Sequence, residues 1–345
     1  MLRAPSLNPT TMKAVAYQKS LPAEDANSLL DVELPAPEAS GRNILVRVEA
    51  VSVNPVDSKI RLRQEPAEGD YAVLGWDASG VVEAIGPNVT LFQPGDKVWY
   101  AGAIDRPGSN SELHLVDERI VSKMPESLSF TKAAALPLTT ITAWEILFDR
   151  LQFDSQSTGN LLIIGAAGGV GSIMIQLAKQ LTQLTVIATA SRPETEQWVR
   201  DLGADHVINH RNPLHQELTQ LGIPQVEFIA SLTNTDDHLS SLAEAIGPQG
   251  KIAVIDDPAA LDIMPFKLKA VSWHWELMFT RSLFQTEDML EQHKLLAKTA
   301  QLIDEGKIKT TLTETYGTIN ATNLRRAHQL IESGKARGKI VLAGF

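Results

Sequence analysis

Residues 161–179 read LLIIGAAGGVGSIMIQLAK. Four apolar residues suited to a buried strand run into a glycine-rich turn, and an apolar helical pattern begins at once. A helix N-terminus offers unpaired backbone N–H groups and the positive end of a dipole, and together these bind phosphate. Glycine removes the Cβ that would hold a pyrophosphate away from the backbone. The fit to a G-x-G-x-x-G fingerprint is partial, with Ala166 where the first glycine belongs and Gly168 and Gly171 in place. The strand before and the helix after give the turn its meaning as a dinucleotide cradle.

The alternation continues beyond this unit. After LLIIG come a helix over Ser172–Lys179, the strand TVIATA, a helix from Glu194, HVIN, EFIASL, a helix near His238–Ala245, and KIAVID. Such alternation predicts an α/β fold with a doubly wound parallel sheet. WHWELMF, with Trp273, His274 and Trp275, is expected as a further strand at the sheet edge and as a dimer contact. From Met12 to about Val121 the pattern differs: short strands broken by Gly86-Pro87-Asn88 and Pro94-Gly95-Asp96 predict a small β-barrel. TKAAALPLTTITAWEILFDR is expected to be helical with an interruption at Pro137. The tail predicts helices over Met289–Ile303 and Leu324–Ile331 and a closing strand, KIVL.

Length and charge narrow the function classes. A chain of 345 residues suggests about two domains. A net charge of -10 argues against nucleic acid as a partner, which would need a surplus of Lys and Arg. No apolar run is long enough to span a bilayer, and MLRAPSLNPTTMKAV lacks the apolar centre of a signal peptide. MKAVAYQK looks like a natural start at Met12, with a short extension before it, and the cytoplasm is the expected compartment. The absence of cysteine excludes disulfides, thiolate metal ligands and a cysteine nucleophile.

Several separated segments resemble one family. VEAVSVNPVDSKIR, GWDASGVVEAIG, PGDKVW, AALPLTTITAW, GAAGGVGSIMIQLAK, LGADHVI and the closing GKIVL are similar to the medium-chain dehydrogenase/reductase superfamily, most closely its zinc-free quinone oxidoreductase branch and bacterial zinc-type alcohol dehydrogenase-like proteins. The resemblance implies a GroES-like β-barrel over residues 1–131, a Rossmann domain over 132–280, a return segment over 281–345, and an active site in the cleft between domains. It also places the three zinc-ligand positions of the metal-dependent members on Asn54, Trp76 and Leu138. Trp and Leu offer no lone pair to zinc and Asn is a poor ligand. His206 and His210 are four apart, a spacing that shares a face only on a helix, and DHVINH reads as a strand. No metal is expected.

The cofactor follows from the end of TVIATA. NAD-selective proteins place Asp or Glu there for the ribose hydroxyls; this chain has Ala190, then Ser191 and Arg192. A hydroxyl and a guanidinium suit the 2′-phosphate of NADP(H). Ser191 and Glu194 also fit a capping box, which is compatible with an anion site. Expected cofactor contacts are Ala167, Gly168, Gly169 and Val170 in the turn, with Ser191 and Arg192. The resemblance adds Thr142, His210, Ser231, Ile255 and Lys339. Without a metal to hold an alkoxide, the easier reaction is hydride delivery from NADPH to a small-molecule quinone or α,β-unsaturated carbonyl. Asn54, Lys59, Trp76 and Asp77, with Asp57 beside them, occupy the segments that build the superfamily's active site. Asn54 would hold the nicotinamide ribose or donate to a substrate oxygen, and Lys59 would stabilise an enolate. Trp76 is an apolar wall or a core residue, and Asp77 a site residue or a turn anchor. The alternatives are a zinc alcohol dehydrogenase and an NADPH-binding protein without turnover. A homodimer is expected.

Overall fold

A computed structural model describes residues 10–345, so the extension expected before Met12 lies almost wholly outside the described residues. The chain divides into two compact units, one made of residues up to Leu138 together with Phe279–Phe345, the other of Thr139–Met278. The first division falls later than residue 131 for a packing reason. Ala134 and Ala135 sit in one buried cluster with Ala50 and Val341, with Phe130 packed against it, so this stretch belongs to the first unit's core.

The first unit opens with β1 (Thr11–Tyr17), β2 (Leu30–Pro35), β3 (Asn43–Ser52), α1 (Pro55–Arg63), β4 (Ala72–Val73), β5 (Ala78–Ile85), β6 (Lys97–Tyr100), β7 (Leu113–Asp117), β8 (Val121–Lys123) and α2 (Phe130–Ala133). α3 (Pro137–Trp144) begins on its proline, where a missing N–H costs no helical bond, and runs into a π-helical turn over Glu145–Arg150. The interruption expected at Pro137 is thus a helix start.

The second unit holds β9 (Asn160–Ile164), α4 (Gly169–Leu181), β10 (Thr185–Thr189), α5 (Pro193–Asp201), β11 (His206–Ile208), α6 (Leu214–Gln220), β12 (Val226–Ser231), α7 (Thr235–Ala245), β13 (Ile246–Val254) and β14 (Ser272–Trp275). Every pairing is parallel, in the order β11-β10-β9-β12-β13-β14. This is the doubly wound order in which the chain steps outward from β9 on one side and then crosses to the other. The strands are buried on both faces: Leu161, Leu162, Ile163, Val186, Ile187, Ile229 and Ile252 have no solvent exposure. β14 is the edge strand that WHWELMF predicts, with Trp273 packed edge-on against Phe266.

The chain then returns to the first unit through α8 (Thr280–Leu283), α9 (Leu290–Asp304), β15 (Leu312–Thr315), α10 (Ala321–Glu332) and β16 (Lys339–Ala343). β16 joins a seven-stranded sheet ordered β15-β16-β3-β5-β6-β8, with β7 also on β3, and β1 centres a second sheet ordered β2-β1-β4. β16 runs antiparallel to β3 with Val341 opposite Ser52. Continuing that register past the end of β3, Val53 N–H donates to Ile340 O at 3.4 Å, which carries Lys339 to the level of Asn54. Arg61 on α1 bonds His328 and Glu332 on α10 and ties the two helices together.

Candidate active site

In the first unit the side chains of Ser52, Asn54, Asp77 and Lys339 meet. Ser52 and Asn54 lie two apart on extended chain and so face the same way. Asp77 Oδ2 accepts from Ser52 Oγ at 2.7 Å, Asn54 Nδ2 at 2.8 Å and Lys339 Nζ at 2.9 Å. Its other oxygen accepts the Leu138 backbone N–H at 2.8 Å. Lys339 Nζ also donates to Asn54 Oδ1 at 2.5 Å. Asp57, in the first turn of α1, accepts the Asn54 backbone N–H at 2.9 Å. Each of these side chains is buried. Burial pushes the Asp57 carboxyl up to about 7, opposed by the Asn54 N–H and the Lys339 ammonium and reinforced by Asp77.

A buried ion pair is costly unless its remaining donors and acceptors are met. Here Asp77 receives four hydrogen bonds, so it is the hub of the cluster rather than a simple turn anchor. Among the described residues, one N–H on Asn54 Nδ2 and one on Lys339 Nζ remain without a partner. Each of these two N–H groups has the capacity for one more acceptor.

Trp76 is buried, donates Nε1–H to Ala103 O at 3.1 Å and meets Phe279 edge-on at 6.4 Å. It is a packed residue with its one polar atom used. Lys59 is half-buried on α1; the lysine joined to Asn54 and Asp77 is Lys339, from the far end of the chain.

The second unit gathers most of the expected cofactor contacts at one edge of its sheet. Strands β9 to β13 are parallel, so the segments after Ile164, Thr189, Ile208, Ser231 and Val254 all emerge at the carboxyl edge. That edge carries Gly165–Val170, Ala190–Arg192, His210, Ser231 and Ile255. The winding changes direction between β9 and β12, the place where sheets of this kind hold a ligand.

α4 starts at Gly169, three residues earlier than the expected Ser172, because the apolar pattern hides two glycines that helix geometry tolerates. Gly165 turns the chain with φ +81, and a Cβ on it would lie 3.0 Å from Thr233 Cγ2. A Cβ on Gly171 would come within 2.4 Å of Ala166 O, so only glycine lets the helix pack on the turn. Gly168 differs. Its φ of -74 suits any residue, and an added Cβ would meet only Gly165 O, at 3.4 Å. The bare Gly168 leaves space over a helix end that has no side-chain cap. Open amides beneath an open space fit a pyrophosphate.

Around that end, Gly165 N–H donates to Thr189 Oγ1 at 3.1 Å, which ties the turn to β10. The cap of α5 corrects the expected pairing of Ser191 with Glu194. Arg192 is the N-cap, and its backbone N–H donates to Thr195 Oγ1 at 3.3 Å. Pro193 sets the helix start one residue later than the Ser191 cap requires. The Arg192 guanidinium meets Glu194 at 3.2 Å in a partly exposed pair. His210 stands edge-on to His238 of α7 at 6.4 Å, and burial lowers both imidazoles below their usual range. Ser231 is buried, with its hydroxyl 2.7 Å from that of Thr235, which in turn donates to Asp256 at 2.5 Å. Thr142 is buried within α3.

Residues 40–126 match the alcohol dehydrogenase GroES-like domain family and residues 202–342 the zinc-binding dehydrogenase family. A zinc-type alcohol dehydrogenase-like protein of Staphylococcus aureus (strain MSSA476) is 41% identical over 96% of this chain and 99% of its own length. The chain belongs to the medium-chain dehydrogenase/reductase superfamily. Within it, a solved structure from Rhizobium etli CFN 42, provisionally named a zinc-dependent alcohol dehydrogenase, is 56% identical, with TM-score 0.94 over 97% of this chain and 98% of that one. The quinone oxidoreductase of Coxiella burnetii is 28% identical, with TM-score 0.79 over 97% and 100%.

Superfamily membership makes this chain an oxidoreductase with a GroES-like domain and a nucleotide-binding domain. Of the residues expected from the sequence, Asn54, Asp57, Asp77 and Lys339 meet in one cluster and Gly168 heads α4. Beside them the structure adds Ser52, the Leu138 N–H, Thr235 and Asp256, and His238, none of them among the expected residues. Only Ser52 left a signal, its two-residue spacing from Asn54.

Proposed function

We propose that this protein is a metal-independent, NADPH-dependent reductase of quinones or α,β-unsaturated carbonyls. The observation that carries the reading is the fate of the three positions where metal-dependent superfamily members hold zinc. Trp76 has a donor-only nitrogen already given to Ala103, Leu138 has no side-chain donor atom, and Asn54 has its oxygen bonded to Lys339. These residues do not fit zinc. Among the described residues no group of three His, Cys, Asp or Glu side chains is arranged to hold a metal ion.

The residues at this carboxyl edge do fit a dinucleotide. The amides at the head of α4, beneath Gly168, would hold the pyrophosphate. Ala190 puts no carboxylate after β10, and Ser191, Arg192 and His210 would meet a 2′-phosphate. The Arg192–Glu194 pair is partly exposed and worth little, so a phosphate can redirect the guanidinium. When bound, the nicotinamide supplies hydride. The protein's part is to orient the acceptor and to meet the oxygen on which charge develops. Lys339 and Asn54 have the donors for that, and Asp77 fixes both.

The quinone oxidoreductase of Coxiella burnetii supports the substrate class by likeness. No described helix is long and apolar enough to cross a membrane, and the cytoplasm is the compartment we propose. We also propose a homodimer built on the edge strand β14, beside which Trp275 and Leu277 are exposed. The test of the function is metal analysis of the purified protein beside NADPH oxidation with a panel of quinones and enones. Turnover without stoichiometric metal supports the reading; tightly bound zinc at one per chain sinks it. NADPH binding with no turnover on any acceptor would leave a binding protein instead.

A further inference from the structure

The first unit contains a buried charge imbalance that the function above does not use. Asp57 and Asp77 bring two carboxyl groups to the head of α1, and Lys339 is the ammonium that acts on both. Their shares of hydrogen bonds are unequal. Asp77 takes Ser52, Asn54, Lys339 and the Leu138 N–H, four donors in all. Asp57 has the Asn54 backbone N–H and its own, with Lys339 acting through space. One ammonium neutralises one carboxylate. The second is then a surplus charge in a dry interior, and a carboxyl in that position takes up a proton.

The charged groups acting on Asp57 are Lys339, from β16, and Asp77, from the lead into β5. Desolvation outweighs the attraction of Lys339 and sets the carboxyl at about 7, where it can both hold and release a proton under neutral conditions. The group sits three residues from Asn54 in the capping turn of α1, within the same cluster as the two donors that would face the acceptor's oxygen.

We propose that Asp57 stores the proton that the reduction consumes. This rests on the reductase reading. Reduction of a quinone or enone by NADPH adds a hydride and one proton and releases NADP+. The hydride leaves NADPH for the acceptor, whose electron pair moves onto the carbonyl oxygen. The Asp57 O–H bond breaks, its proton ends in the O–H of the hydroquinone or the new C–H of the saturated carbonyl, and water reprotonates the carboxylate.

Two measurements test it, on the full chain and on Asp57→Asn, which keeps an acceptor for the Asn54 N–H. Infrared titration of the cofactor-free protein should show a protonated-carboxyl band that is lost as pH rises through neutrality in the wild type and is missing from Asp57→Asn. Steady-state kinetics with NADPH and a quinone should show kcat falling above neutral pH in the wild type. In Asp57→Asn, kcat should be flat with pH and lower by about 100-fold, with KM for NADPH unchanged. No such band in the wild type, or an unchanged pH profile in Asp57→Asn, overturns the proposal. If Asp57→Asn does not fold, the wild-type band and pH profile decide: the two must share one midpoint. A wild type that reduces no quinone or enone overturns the reductase reading, and the proton store with it, whereas an Asp57→Asn variant as active as the wild type overturns the store alone.

Discussion

Two glycines in one turn make opposite demands, and that separates stability from binding. Gly171 is fixed by the fold, since a Cβ there would strike the Ala166 carbonyl at 2.4 Å. Gly171→Ala should lower the melting temperature. Gly168 faces space, so Gly168→Val should change stability by no more than about 1 kcal/mol. It should still weaken NADPH binding by at least tenfold, because the branched side chain fills the place of a phosphate; calorimetric titration and thermal melts read the two effects. At Lys339 the expected effect is on the fold itself. Lys339→Met takes from the buried Asp77 its cation, a loss of about 3–5 kcal/mol by denaturant unfolding. The double variant with Asp77→Asn should recover part of it, because the carboxyl left without its cation is gone. How much of this was legible differs by residue. Asn54 and Asp77 stand in local motifs, whereas Lys339 lies 285 positions from Asn54 and joins it through the register of β16 on β3, which no local pattern encodes.

Elements built from periodic apolar runs were readable, and their ends were less so. β9, β10 and β12 appear where the alternation predicts, because strands buried on both faces leave apolar runs rich in Leu, Ile and Val, and α4 and the aromatic edge strand β14 follow in their expected places. The head of α5 shows the limit. Ser191-Arg192-Pro193-Glu194 fits a capping box in sequence, yet Pro193 and Thr195 place the cap on Arg192. The contact of α1 with α10 left no sequence signal at all. It depends on Arg61, fully buried against His328 and Glu332. Burial, and then the Arg61 guanidinium, push the His328 imidazole down to about 3. The folded protein therefore holds this histidine neutral while the unfolded chain protonates it near its ordinary 6.5. Its contribution is complete above 6.5 and is lost as pH falls from there towards 3. Unfolding at stepped pH should show wild-type stability declining through that window. His328→Gln, which cannot titrate, should show a shallower decline.

At the scale of the whole molecule, each unit brings a different part of the chemistry. The parallel sheet offers a carboxyl edge with an uncapped, unobstructed helix end for the dinucleotide. The other unit offers the buried Asn54–Asp77–Lys339 cluster and no metal-ligand set among its described residues. If β14 pairs two copies of the chain, light scattering should give a dimer, and Trp275→Lys should shift it to monomer while leaving each chain folded. The absence of a carboxylate after β10 and the lack of zinc ligands at Trp76 and Leu138 meet in a single assay. That assay is oxidation of NADPH and of NADH, side by side, with a quinone and enone panel in the presence of a strong chelator. Turnover with NADPH is expected, with a clear preference for it over NADH and no loss of rate to the chelator; a preference for NADH, or activity abolished by chelation, would contradict a metal-independent NADPH reductase.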